Sequence, residues 1–432
     1  MMRLQAAAVA VLLVGCGGAG TNALDGTTTG DDAGTSAGAT DAGTAGGATD
    51  GGTAIGGGTD AGTGVGAPFE PMALSAAALP ASPTNFAADL PAAAALGQRL
   101  FADARMSSDG TVSCQSCHSA AQGFSDARQV SVGVLGHTGT RHAPSVVTVA
   151  LTPFLFWDGR ADSAWSQPLK AIEGAAEMDF SRTEVATLVL SAYRADYEAI
   201  FGPIPDLGTL PARAMPGLPA WNAMTAEQQD GVQRIFSDVG KSLEAYERKL
   251  TCADTRFDRW ARGEITLTAA ESAGAQQFVN GRCIACHSGQ AFSDGAFHDL
   301  GLSPATGASD AGRSAGSQLL LGDAFNGAGA YSDDIVFGQT RLDTVSAETG
   351  TVGAFRTGAL RGVGQRPRFG HAGQFTQLDD FLRDAYNRPR LHAGTVGTLD
   401  PKLAGVNLGN IANLIAFLRT LDCPPVAADL LP

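Results

Sequence analysis

The sequence predicts a mainly α fold of two related helical domains with long irregular loops. Three observations carry that expectation. The pentapeptide Cys-x-x-Cys-His occurs twice, as Cys114-Gln115-Ser116-Cys117-His118 and as Cys283-Ile284-Ala285-Cys286-His287. The surroundings repeat as well: Gly97 to Phe101 is echoed by Gly274 to Phe278, and Gly123-Phe124-Ser125-Asp126 by Ala291-Phe292-Ser293-Asp294. Elsewhere apolar residues recur at helical spacing. A repeat of this size argues for duplication of one unit, not for a solenoid.

Cys-x-x-Cys-His is the attachment signature of c-type haem. Two thiols three positions apart can each add to one of the vinyl groups on a porphyrin edge. The following His is then held beneath the ring as the proximal iron ligand. A zinc knuckle or a thioredoxin-like redox pair is the alternative reading. Zinc would need a second ligand pair nearby, and no other Cys lies close to either motif. The sequence therefore predicts two covalently bound haem c groups in two cytochrome c-like domains, held by Cys114, Cys117, His118 and by Cys283, Cys286, His287.

The chain has 432 residues and a formal net charge of −14, which excludes nucleic acid as an expected partner. Met1-Met2-Arg3 and the apolar run Ala6 to Val14 suit a signal peptide and are too short for a membrane span. Leu13-Val14-Gly15-Cys16 resembles a bacterial lipobox. Residues 1–15 are then a lipoprotein signal peptide, and Cys16 carries the lipid. Gly17 in place of an inner-membrane retention Asp points to the outer membrane. The expected location is periplasmic, with the lipid anchor as the only membrane contact. Residues 16–67, almost wholly Gly, Thr, Ala and Asp, cannot bury enough apolar surface to order themselves. They read as a disordered tether with a reach of roughly 40 Å. Of the seven cysteines, Cys252 and Cys423 remain after lipid and haem. In an oxidising compartment they are expected to form a disulfide, the alternative being two buried free thiols.

Residues 68–250 are expected to form the first haem domain and 251–432 the second. Asp89-Leu90-Pro91 reads as a helix start, with Leu96, Leu100 and Phe101 on one face. Thr225 to Leu250 carries Val232, Ile235, Phe236, Val239, Leu243 and Tyr246 at helical spacing. Gly202 to Pro219 reads as a Pro-rich excursion, and Ser303 to Gly350 as a Gly/Ser/Asp-rich stretch with few periodic segments. A last helix over Gly409 to Leu421 is stopped by Pro424-Pro425, just after Cys423.

From Leu96 to Leu421 the chain resembles the bacterial di-haem cytochrome c peroxidase and MauG family. The resemblance rests on the haem motifs, Leu96-Gly97-Gln98-Arg99-Leu100-Phe101, Phe156-Trp157-Asp158-Gly159-Arg160 and Ala176-Glu177-Met178. It extends to Phe257-Asp258-Arg259-Trp260 and His371-Ala372-Gly373-Gln374-Phe375. It implies that the first haem meets hydrogen peroxide, that the second exchanges electrons with the outside, and that Trp157 connects them. Gln167 and Glu177, ten and twenty residues beyond Trp157, stand at the offsets of the family's distal Gln and acid–base Glu. Moving a proton between the two oxygens of bound HOOH needs such a carboxyl, its pKa raised in a partly apolar pocket. His137 matches the loop His with which many members close the first haem, although MauG-like members keep that haem open. His142 stands where the family usually has an Asn beside calcium, and Gln365-Arg366-Pro367 lacks its Thr, which puts calcium in doubt.

The peroxidase branch binds the second iron with a Met, but no Met follows Met224. MauG-type enzymes use a Tyr in the equivalent helix. Tyr386 lies on one face with Leu378, Phe381, Leu382 and Ala385, one residue beyond the matching place. His298, His371 and His392 are the rivals. The expected function is that of a cytochrome-c-peroxidase-like oxidoreductase, reducing peroxide with electrons from a small redox protein. The alternatives are a MauG-like oxidase of residues in a partner protein and a non-catalytic electron carrier.

Overall fold

Pro91 sits where a helix leaves its first N–H unpaired anyway, and it opens α1 (Pro91–Ala102). The first half of the chain continues with α2 (Ser166–Glu173), α3 (Arg182–Leu188), α4 (Arg194–Phe201), α5 (Pro219–Asn222) and α6 (Ala226–Glu247). The second half holds α7 (Arg256–Ala261), α8 (Ala269–Asn280), α9 (Arg313–Leu321), α10 (Ile335–Ser346), α11 (Leu378–Phe381) and α12 (Ile411–Arg419). Two dipeptide strands, β1 (Phe297–His298) and β2 (Phe355–Arg356), pair antiparallel. The computed structural model describes Phe69 and residues 72–75, 79–346 and 351–432. The expected signal peptide, lipidated Cys16 and tether lie outside the described residues. Among those residues no helix is long and apolar enough to cross a membrane.

Helix ends fall where capping chemistry puts them. Thr225, Thr255 and Thr268 each accept from the backbone N–H three residues on, and Gln228, Asp258 and Glu271 return the bond, closing three capping boxes. Residues 202–218 are free of helix, as their prolines predict. The stretch 303–350 differs from expectation, because it forms α9 and α10. Its composition is weak, but tertiary anchors override it. Arg313, fully buried, donates to the Gly159 carbonyl at 2.9 Å and lies over the rings of Phe154 and Phe297.

The duplication is physical as well as sequential. Helix α1 crosses α6, and α8 crosses α12, each through a glycine at the same place in the repeat. A Cβ on Gly97 would lie 1.9 Å from the Ser242 carbonyl oxygen, and one on Gly274 would lie 2.0 Å from that of Asn413. Neither backbone can yield without parting its helix pair. Gly274→Ala should therefore cost about 3 kcal/mol, the upper end for overpacking. The check is the denaturant midpoint of the haem-loaded protein; an unshifted midpoint would mean that the helices separate freely.

Two apolar cores result. One gathers Leu96, Phe101, Trp165, Leu169, Ile235 and Leu243; the other gathers Phe257, Phe278, Phe292, Leu414 and Phe417. The chain crosses between them: Phe69 and Met72 pack into the second core, and Phe325 into the first. Cys252 and Cys423 form a disulfide across 171 residues of chain, tying the segment after α6 to the end of α12. A closed loop of that length removes several kcal/mol of unfolded-state entropy, about 5 in the chain-entropy account.

Candidate di-haem site

Each Cys-x-x-Cys-His folds as one tight helical turn, Cys114–Ser116 and Cys283–Ala285. None of the four thiols is in a disulfide. The His of each copy is oriented in the same way. His118 Nδ1 lies 3.2 Å from the Phe124 carbonyl oxygen, and His287 Nδ1 lies 2.9 Å from that of Phe292. Both phenylalanines are buried and adopt left-handed backbone, φ 56° and 52°, which turns those carbonyls inward. With Nδ1 engaged, Nε2 is the atom left for a metal.

Each turn opens into its own cavity. The cavity at His118 has about 1310 Å³ of free space and the one at His287 about 1450 Å³, mouths included. Trp157, His142 and Arg356 line both, so they form the wall between the cavities. Trp157 is fixed there by its Nε1–H, which donates to the His142 carbonyl oxygen at 2.8 Å. Its own carbonyl accepts from Arg356 N–H at 2.8 Å. Asp158, buried beside it, pairs with Arg141, which also binds Asp310 at 2.7 Å, and Gly159 (φ 69°) leaves room for Phe297. The Phe-Trp-Asp-Gly-Arg segment thus places the indole by pinning its neighbours.

Gln167, from the start of α2, and Glu177 line the His118 cavity with Phe156 and Arg160. The Glu177 turn is held by Glu177 N–H to Gly174 O at 2.8 Å and by Val134 N–H to Glu177 O at 2.9 Å. Burial pushes the Glu177 carboxyl above its ordinary pKa, and the Arg160 guanidinium opposes part of that rise.

His137 is not brought to this cavity. The turn from Ser131 to Gly139 is tied across its base, Gly133 N–H to His137 O at 2.8 Å and Gly139 N–H to Ser131 O at 3.0 Å. Leu135 and Gly136 take left-handed backbone at its tip, and the His137 ring is left in solvent. The structure thus places His137 outside the lining of the cavity that the expectation assigned it to close. His142 is buried, with Nε2 3.1 Å from Ser125 Oγ and Nδ1 3.2 Å from the Arg128 carbonyl oxygen. Burial lowers its pKa to about 4.

In the second cavity Tyr386 is the residue opposite the proximal His, its phenolic oxygen 3.2 Å from His287 Nε2. Residues Leu382–Tyr386 form a π-helical turn, closed by Asn387 N–H to Leu382 O at 3.0 Å. Such a turn absorbs one extra residue in a helix. The rival histidines have other partners: His298 lies between Asp294 (2.9 Å) and Asp400 (2.6 Å), and His371 stacks on Phe355 at 3.7 Å. His392 makes its nearest carboxylate contact with Asp384, at 3.7 Å.

Two residues that the sequence did not flag bear on what fills these cavities. Arg356 is buried and Arg366 half-buried, and among the described residues neither pairs with a carboxylate. Burial lowers both to about 10. The Arg366 Nε has no hydrogen-bond partner. Uncompensated buried cations are costly and call for an anion. The propionates of a haem, with its apolar ring in the surrounding hydrophobic lining, fit both needs. The fit holds for haem in each cavity, with His118 and His287 as iron ligands.

Fold and site together define a two-haem oxidoreductase. A family model described as di-haem cytochrome c peroxidase matches residues 91–266. The methylamine utilization protein MauG of Methylorubrum extorquens is 28% identical over 348 residues, 79% of this chain and 81% of that protein. Cytochrome c551 peroxidase of Pseudomonas aeruginosa is 27% identical over 345 residues, 78% and 81% of the two chains. The solved structure of a MauG-like protein associated with microbial copper homeostasis shares the fold. It has a TM-score of 0.56 at 24% identity, with 84% of this chain and 96% of that one covered. The chain is thus similar to the di-haem cytochrome c peroxidases and MauG proteins, and the matching family model is one of proteins that carry two haem groups.

Proposed function

We propose that the protein consumes hydrogen peroxide in the His118 cavity and draws the electrons across Trp157 and the His287 cavity from a protein outside. The observation that carries this reading is the shared wall: one indole lines both cavities, while Gln167 and Glu177 line only the first. Haem attached at Cys114 and Cys117, and at Cys283 and Cys286, would supply peroxide binding and electron storage. The chain's own residues manage the protons. The Glu177 carboxylate can take the proton from the near oxygen of HOOH and return it to the far one, so that water leaves. Gln167 can hold the peroxide by its side-chain amide. Trp157 keeps the two electron sites in contact.

Two kinds of electron source fit the family: a small redox protein, or residues of a protein substrate. Tyr386 favours the second. An anionic oxygen opposite His287 would lower that site's potential and make it a poor acceptor from ordinary carriers. The solvent-exposed His137 agrees with a first site open without prior reduction. Export and attachment to the outer membrane through a lipidated Cys16 complete the proposal.

The test is a spectroscopic peroxide titration of the purified di-ferric protein. The expected result is reaction without pre-reduction, with changes in both haem bands that persist until a protein reductant is added. Reactivity that appears only after one-electron reduction would overturn the oxidase reading in favour of the switched peroxidase. Two six-coordinate irons inert to peroxide would overturn both.

A further inference from the structure

Peroxide reduction takes up two protons for every two electrons, and both must reach the His118 cavity. We propose that Glu247 and Glu244, one turn apart on α6, form a carboxyl relay that carries protons from a polar cleft to the His118 cavity. The inference rests on the peroxide reading above.

The two carboxyls mark the ends of the path. Glu247, at the last turn of α6, is 5 % exposed and lines the His118 cavity beside Cys114. Its Oε2 is buried without a hydrogen-bond partner, so the group is not spent on holding the fold. Glu244, 2 % exposed, lines a different cavity of about 930 Å³, mouth included, with Ser82, Thr84, Arg248 and Arg341. Asn85 Nδ2 donates to Glu244 Oε2 at 2.9 Å. The cleft abuts the His118 cavity directly, because Val149 and Thr152 belong to both linings. Residues three apart on a helix share a face, so the two carboxyls can exchange a proton directly or through one water.

The charges around Glu247 suit transfer. Burial, and then the neighbouring Glu244, push its pKa up to about 8. Burial likewise raises Glu244. The nearest cation in sequence, Arg248, turns away to Asp89 at 2.9 Å and the Pro80 carbonyl at 3.0 Å. Two like carboxyls with raised pKa values cannot both ionise cheaply, so a proton stays shared between them near neutral pH. Glu247 was legible as an anomaly: it continues the face of Gly240 and Leu243 on an otherwise apolar stripe.

The test uses the haem-loaded enzyme with two readouts. Infrared spectroscopy of the resting ferric protein should contain a protonated-carboxyl carbonyl band at neutral pH that shifts in D2O and loses a component in Glu247→Gln. After oxidation by peroxide, addition of an electron-only reductant such as ferrocyanide should give proton uptake, read with a pH indicator, in step with the return of the haem bands in the wild type. Uptake should be slowed about tenfold or more in Glu247→Gln and in Glu244→Gln, with haem content intact and partial recovery in Glu247→Asp. Uptake at the wild-type rate in either Gln variant, or an unchanged carbonyl band in Glu247→Gln, would overturn the relay. A wild type that does not react with peroxide at all would overturn the peroxide reading, and the relay with it.

Discussion

Glu177→Gln should lower the peroxide reaction by about 10²–10⁴-fold, the usual worth of a positioned acid–base group. Peroxide should still enter, because the amide keeps the volume and one hydrogen-bonding oxygen; the loss belongs in the rate of O–O cleavage and not in binding. Stopped-flow mixing of ferric enzyme with increasing peroxide separates the two, as a lower saturating rate at an unchanged half-saturation concentration. The pH profile adds a second check. Glu177 works by accepting a proton, so it must be ionised at the start. Burial raises its pKa against the pull of Arg160, and activity should therefore fall as the pH drops through that raised value. The acid limb should vanish in Glu177→Gln, leaving a low, flat rate. A variant that keeps both its rate and its acid limb would move the acid–base role to another carboxyl of the cavity, and Glu247 is the other one lining it.

What could be seen in advance divides along a physical line. Chemistry that repeats locally was legible: two haem motifs, two Phe turns and two crossing glycines each recur within short windows, so the residues announce themselves by their echo. The ends of α1, α6 and α12 were legible because caps, Pro91 and apolar spacing act within a few residues. The remainder depends on contacts between distant parts of the chain. Arg356 and Arg366 look like surface cations in the sequence, and only the folded chain turns them toward the cavities. Helices α9 and α10 form in a stretch of poor composition because Arg313 is received by Gly159, 154 residues earlier. His137 misled for the converse reason. A His near a haem motif is a plausible ligand by position, but the backbone closure of its turn decides where the ring points.

Tyr386→Phe should raise the potential of the second site by more than about 100 mV, a modest part of the roughly 0.8 V that axial ligands command. The geometry makes this a test of one atom. The phenolic oxygen is 3.2 Å from His287 Nε2, and Phe keeps the ring, its packing against Phe381 at 5.7 Å and the π turn that aims it. Burial by itself pushes the phenol's pKa up, so the protein does not ionise it unaided; a phenolate there would need the charge of a bound ferric ion. Removing the oxygen therefore removes the preference for the oxidised metal, and it should also open the second site to small exogenous ligands. Spectroelectrochemical titration of wild type and variant reads the shift directly. An unchanged potential would mean that another side chain ligates, and the structure names what must then move. His298 would have to leave Asp294 and Asp400, or His371 its stack on Phe355, and either change would be visible as a His/His spectrum. With the shift as expected, the second site is built to stay oxidised, as the proposed oxidation of a partner protein's residues requires.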